Sequence, residues 1–141
     1  MKALPLTVAV LLIALPVPAG AAPAHSRVEQ AIAAERLERG VASVRPARAL
    51  RRSSARYAAR LVRTGGLRHA ARLPISRRFR LRGENLALTR GAPSARRVVA
   101  AWMRSPGHRA LILDRRFRHI GVAGRKRHDG AVVWVAHFGR R

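Results

Sequence analysis

The chain contains no cysteine, which excludes a disulfide framework, a thiol nucleophile and a thiolate metal site. Any metal ligands must come from His, Asp, Glu or the main chain. Acid is scarce as well: six Asp and Glu stand against thirty Lys and Arg, for a formal charge of +24. Aromatics make up 4% of the residues, few for a base-stacking platform, and no motif that reads base edges is present. Lysine is confined to Lys2 and Lys126, so nearly all the positive charge is Arg, whose planar fork grips phosphate through paired hydrogen bonds. Such a charge favours polyanions: phospholipid headgroups, an anionic envelope polymer, or nucleic acid held non-specifically. A coding sequence rich in G and C enriches Arg and Ala too, so composition alone leaves both origins open.

Long apolar runs are missing after the N-terminus. The run Leu4 to Pro16 is shorter than the roughly 20 residues that span a bilayer. Preceded by Lys2 and followed by Ala19-Gly20-Ala21 and Ala22-Pro23-Ala24, it reads as a secretory signal peptide over residues 1–24. Residues 25–141 are then expected to form one domain, secreted or periplasmic, monomeric and without a transmembrane span.

Within that domain Ser26 and Glu29 have the spacing of a capping box, which predicts a first helix from there to Arg39, ended by Gly40. Val28, Ala31 and Ile32 give it a weak apolar stripe. Pro46 breaks the chain before a second helix over Ala47 to Thr64, where Leu50, Ser54, Tyr57, Ala58 and Leu61 share one face. Arg48, Arg52, Arg56, Arg60 and Arg63 share the other. That stripe, with Arg77, Arg78, Arg80 and Arg82 in the irregular stretch that follows, is either a solvated face or a polyanion surface. Ser94 is placed to cap a third helix, Ala95 to Arg104, with Val98, Val99, Trp102 and Met103 inward. One or two helical turns are expected over His108 to Leu113. His119 to Gly124 and Ala131 to Phe138, separated by a loop containing Asp129-Gly130, predict an antiparallel hairpin. Val132 to Val135 are apolar without alternation, the pattern of a strand covered on both faces.

Three segments in order, Gly83-Glu84-Asn85-Leu86-Ala87, then Val98 to Arg109 ending in Trp102-Met103-Arg104-Ser105-Pro106-Gly107-His108-Arg109, then Ile120-Gly121-Val122 through Trp134 to Gly139, closely resemble the bacterial exported branch of the CAP superfamily, or SCP domains. Glu35-Arg36, Gly40, Leu50, Ala58 and Gly66-Leu67-Arg68-His69 extend the resemblance over nearly the whole mature chain. It implies an α+β fold, a three-layer αβα sandwich with helices flanking a small antiparallel sheet. It also implies a central cleft lined by His69, Glu84 and His108, supported by Asn85, Ser105 and Arg109. Ser105 occupies the place where many eukaryotic members carry a second acid. Ala33 and Leu111 stand where asparagines are often found, which alters the hydrogen bonds around the site.

Two imidazoles and a carboxylate can ligate a divalent ion such as zinc and leave a position for water, the arrangement of a metal-dependent hydrolase. The same groups can form a polar network without metal. Catalysis is the weaker reading: if Glu84 is a ligand, no general base is left over. No Gly-x-Ser-x-Gly elbow accompanies Ser105, which disfavours a serine hydrolase. His137, at the end of the last strand, either approaches the cleft or points to solvent. The reading favoured by the sequence is an exported module that binds a ligand, a lipid or an envelope component, with the hydrolase and the Arg-rich polyanion binder as alternatives.

Overall fold

The computed structural model describes residues 22–91 and 93–141, so the expected signal peptide lies almost wholly outside the described residues. Helix α1 spans Ala24–Glu38, strand β1 Arg45–Pro46, α2 Arg48–Thr64, β2 Leu81–Thr89, α3 Ala95–Arg104, α4 Pro106–Leu113, β3 His119–Lys126 and β4 Val132–Arg140. The strands form one sheet in the order β1-β3-β4-β2. The β3–β4 pair is the expected antiparallel hairpin; β2, which the sequence did not mark as a strand, pairs antiparallel with β4, and the two-residue β1 adds a parallel pairing to β3 that makes the sheet mixed. Among the described residues no helix is long and apolar enough to cross a membrane.

Alternation along β4 divides the core. Trp134, Ala136 and Phe138 pack with Ile120 and Val122 of β3 against α1, α3 and α4, through Val28, Ile32, Val98, Val99, Trp102 and Ile112. Val133 and Val135 point the other way and pack with Leu86 against Tyr57, Ala58 and Leu61 of α2. The sheet is thus covered on both faces, which explains why β4 lacks an apolar-polar alternation. Helix α2 lies so close to β3 that a Cβ at Gly121 would stand 2.1 Å from the backbone nitrogen of Arg51. Ser54 Oγ closes the contact by donating to the Gly121 carbonyl at 2.7 Å.

The start of α1 departs from the sequence-based expectation. The helix begins two residues before Ser26, with Pro23 at its N-cap and no side-chain cap. Glu29 does not reach back to the helix start because it is needed in the interior. Its carboxylate accepts from Arg51 Nε at 2.9 Å and from the Val122 amide at 3.0 Å, joining α1 to α2 and to β3. A buried carboxylate keeps its charge only where such partners exist, and these outcompete a solvent-exposed capping box. Arg36 is equally committed: fully buried, it donates to the carbonyls of Ala42, Ile112, Asp114 and Phe117. The cap of α3 is as expected, Ser94 accepting from the Arg97 amide.

Candidate functional site

Glu84 stands on β2 directly opposite His137 on β4, and both side chains project toward the α2 layer. The Glu84 side chain is 2% exposed and that of His137 is fully buried. Glu84 Oε2 lies 3.0 Å from His137 Nε2, and Oε1 lies 3.0 Å from His69 Nδ1. Oε1 also accepts from the Ala70 amide at 3.3 Å. Both carboxylate oxygens are therefore occupied by nitrogen donors. An ionised carboxylate accepts and never donates, so the contacts place protons on Nε2 of His137 and Nδ1 of His69. His69 Nε2 is then the ring nitrogen with a free lone pair, on a side chain that is 60% exposed.

The surroundings hold this geometry. Tyr57 OH donates to the Arg68 carbonyl at 2.8 Å and fixes the stretch that carries His69. Ser53 Oγ lies 2.8 Å from His137 Nδ1 and braces the ring from α2. Across the β2 edge, Asn85 Nδ2 donates to the His108 carbonyl at 3.1 Å, tying the first turn of α4 to the strand. The rings of His69 and His108 are 6.4 Å apart, centroid to centroid.

Burial pushes the Glu84 carboxyl up, but hydrogen bonds from His137 and His69, the charge of His137 and the Ala70 amide outweigh it. The net value lies below the ordinary carboxylate range. Burial, helped by the charge that His69 carries when protonated, lowers the pKa of His108 and favours its neutral ring. Burial, with the nearby charge of Glu84, raises the Tyr57 hydroxyl. The cleft thus presents neutral imidazole at His108 beside a permanently ionised carboxylate at neutral pH.

The structure brings together His69, Glu84, Asn85 and His108 from the sequence-based set. Ser105 and Arg109 adjoin them only through the backbone of α4, where the Arg109 amide donates to the Ser105 carbonyl. Among the described residues neither side chain makes a hydrogen bond into the cleft. His137, Ser53 and Tyr57 join the site from positions that sequence reasoning passed over or left undecided. The signal for His137 lay in the strand register: with β2 recognised as the partner of β4, Glu84 and His137 fall opposite each other. The basic residues Arg48, Arg52, Arg56, Arg60, Arg77, Arg78, Arg80 and Arg82 are all exposed.

For a divalent ion the chemistry of the donors fits in one particular way. Two neutral imidazoles can coordinate, His69 through Nε2 and His108 through a ring nitrogen, while Glu84 stands behind His69 and raises its basicity.

A mixed sheet sandwiched between helices, with a buried glutamate holding histidines from separate segments at one strand edge, defines a CAP-type domain. The family described as "CAP: Cysteine-rich secretory protein family" matches residues 30–138, and the chain belongs to it despite having no cysteine. Over 60 residues it is 38% identical to the uncharacterized protein YkwD of Bacillus subtilis (strain 168), a match covering 43% of this chain and 21% of that one. The chain thus spans about a fifth of the length of that relative. Its fold is similar to an outer surface protein of Borrelia burgdorferi, with a TM-score of 0.71 and 24% identity over 81% of this chain and 90% of that one. It is also similar to an extracellular SCP-domain protein of Bacillus anthracis, with a TM-score of 0.64 and 19% identity over 83% of this chain and 40% of that one.

Proposed function

We propose that this CAP-domain chain acts outside the cytoplasm as a binding module, and that its ligand, a lipid or other envelope component, sits against His69 and His108. The observation that carries this reading is the double engagement of Glu84, whose oxygens are spent on orienting His69 and His137. A hydrolytic centre with Glu84 as its base would need that carboxylate free to take a proton from water, and both of its oxygens are engaged. Export is supported by the apolar N-terminal run and by the outer-surface and extracellular relatives.

The test is a thermal-shift screen of the mature protein against palmitate, phosphatidylglycerol vesicles and phosphatidylcholine vesicles, repeated with His69→Ala and His108→Ala. At least one probe should raise the melting temperature of the parent and lose that effect in both variants. Equal shifts in parent and variants would move binding away from the cleft, and ester hydrolysis abolished by Glu84→Gln would replace the reading with an enzyme.

A second reading, a divalent-metal site, is favoured by the free lone pair at His69 Nε2. Zinc should then bind at neutral pH with a stoichiometry of about one, and His69→Ala should abolish it. Protein that retains no zinc after dialysis would eliminate this reading and leave the first intact.

A further inference from the structure

We infer that the outer face of α2 is a second binding surface, separate from the histidine cleft, and that it takes a linear phosphodiester polymer. Arg48, Arg52, Arg56 and Arg60 recur every four residues on a helix that rises about 1.5 Å per residue, so their attachment points follow one another at about 6 Å over about 18 Å. Each step turns the stripe by only about 40°, and Arg63 continues it. All five side chains are exposed, while the opposite face of α2 is buried against the sheet.

Nothing in the described residues neutralises this ladder. Every carboxylate is already held elsewhere: Glu29 by Arg51, Glu35 and Glu38 by Arg39, Glu84 by His69 and His137, Asp114 by Arg116, and Asp129 by Arg127. Arginines four apart on one helix repel, and those in the first turn of α2 also oppose its dipole, with no acid there to compensate. The free helix therefore carries an electrostatic cost that a bound polyanion relieves. The track continues beyond the helix. Helix α2 starts beside β3, where the Ala47 amide donates to the Ile120 carbonyl. At that end of the sheet, paired rows bring together the exposed Arg45, Arg82, Arg118 and Arg140.

Geometry and composition together select the partner. A row of guanidinium groups at regular intervals suits a chain with regularly repeated phosphates, each able to accept two hydrogen bonds from one Arg. All six aromatic side chains, Tyr57, Phe79, Trp102, Phe117, Trp134 and Phe138, are buried. No Phe, Tyr or Trp ring is left on the surface to stack on a base or to settle among lipid headgroups. The recognised element is the phosphodiester chain itself, and a polyol phosphate polymer supplies it with no base to be accommodated.

Fluorescence anisotropy with labelled poly(glycerol phosphate), and with charge-matched oligo(dT) as the base-bearing comparison, tests this. One variant carries Arg48→Gln, Arg52→Gln, Arg56→Gln and Arg60→Gln. A control removes the same charge from the α1 and α3 layer, through Arg27→Gln, Arg96→Gln, Arg97→Gln and Arg104→Gln. Affinity for poly(glycerol phosphate) should fall about 30-fold or more in the α2 variant and about 3-fold or less in the control, with the log–log salt slope of the α2 variant reduced by about 3. Oligo(dT) should bind within about 3-fold of the polyol polymer. Equal losses in the two variants would reduce the effect to net charge and overturn the proposal. So would oligo(dT) binding more than about 10-fold tighter, since bases would then be read. Should the fourfold variant unfold, Arg52→Gln with Arg56→Gln suffices, with a slope reduced by about 1.4; an unchanged slope overturns the proposal.

Discussion

Glu84 is held in its ionised form by its neighbours, since burial alone would have raised its pKa and the surrounding donors reverse the sign. A folded-state value below the ordinary 4.5 means that the carboxylate contributes stability above that pH, and that the contribution is lost as the pH falls through the folded-state value. Glu84→Gln keeps the shape and removes the charge. At neutral pH it is expected to cost about 1–3 kcal/mol, because two ring donors lose a charged acceptor. In urea denaturation the gap between parent and variant should narrow as the pH drops below 4.5. A gap that stays constant from neutral to acid pH would show that Glu84 is not titrating with folding. His108 acts in the same direction: burial and the charge that His69 carries when protonated favour its neutral ring, so acidification through its folded-state value adds a cost of charging it.

Among the elements, α2 decides the most, because one face meets the sheet at backbone distance while the other meets solvent with arginine. The close approach is made at Gly121, where a methyl group would collide with the backbone of Leu50 and Arg51 rather than with a flexible side chain. Gly121→Ala is therefore expected to destabilise the fold by about 3 kcal/mol, measured by chemical denaturation. A loss below about 0.5 kcal/mol would mean that α2 can move away from β3 at little cost. The helices α2 and α3 were legible in the sequence because their buried residues repeat at helical spacing over several turns, and the β3–β4 hairpin because Asp129-Gly130 punctuates two apolar runs. Strand β2 was not, since Gly83-Glu84-Asn85 interrupts any alternation with polar residues that are buried for the sake of the site. Strand β1 is two residues long and carries no pattern of its own. The capping box failed because local spacing cannot report that Glu29 is needed by Arg51 and Val122, which lie far along the chain. The family resemblance located His69, Glu84 and His108, yet the residue packed deepest against Glu84, His137, became visible only with the strand register.

Over the whole molecule the dominant fact is a formal charge of +24 with every acid already engaged. Self-repulsion of this size opposes the compact state, and salt screens it over about 10 Å at 0.1 M ionic strength. The protein should therefore melt at higher temperature in about 0.5 M sodium chloride than in about 0.05 M. A melting temperature that falls with salt would show that the ion pairs made by the six acids outweigh the repulsion among the remaining arginines. The two proposed surfaces respond differently to the same variable. Polymer binding along α2 should weaken steeply with salt, whereas a ligand held by neutral imidazole in the cleft should be nearly indifferent.

Long-range proton–nitrogen NMR of the imidazole rings reports whether Glu84 is spent on orienting two histidines and leaves a lone pair open at His69. At neutral pH His69 should carry its proton on Nδ1 and a bare Nε2, and His137 a proton on Nε2. Finding His69 protonated on Nε2 with a bare Nδ1 would contradict it, because Glu84 would then be free of that ring and available as a base.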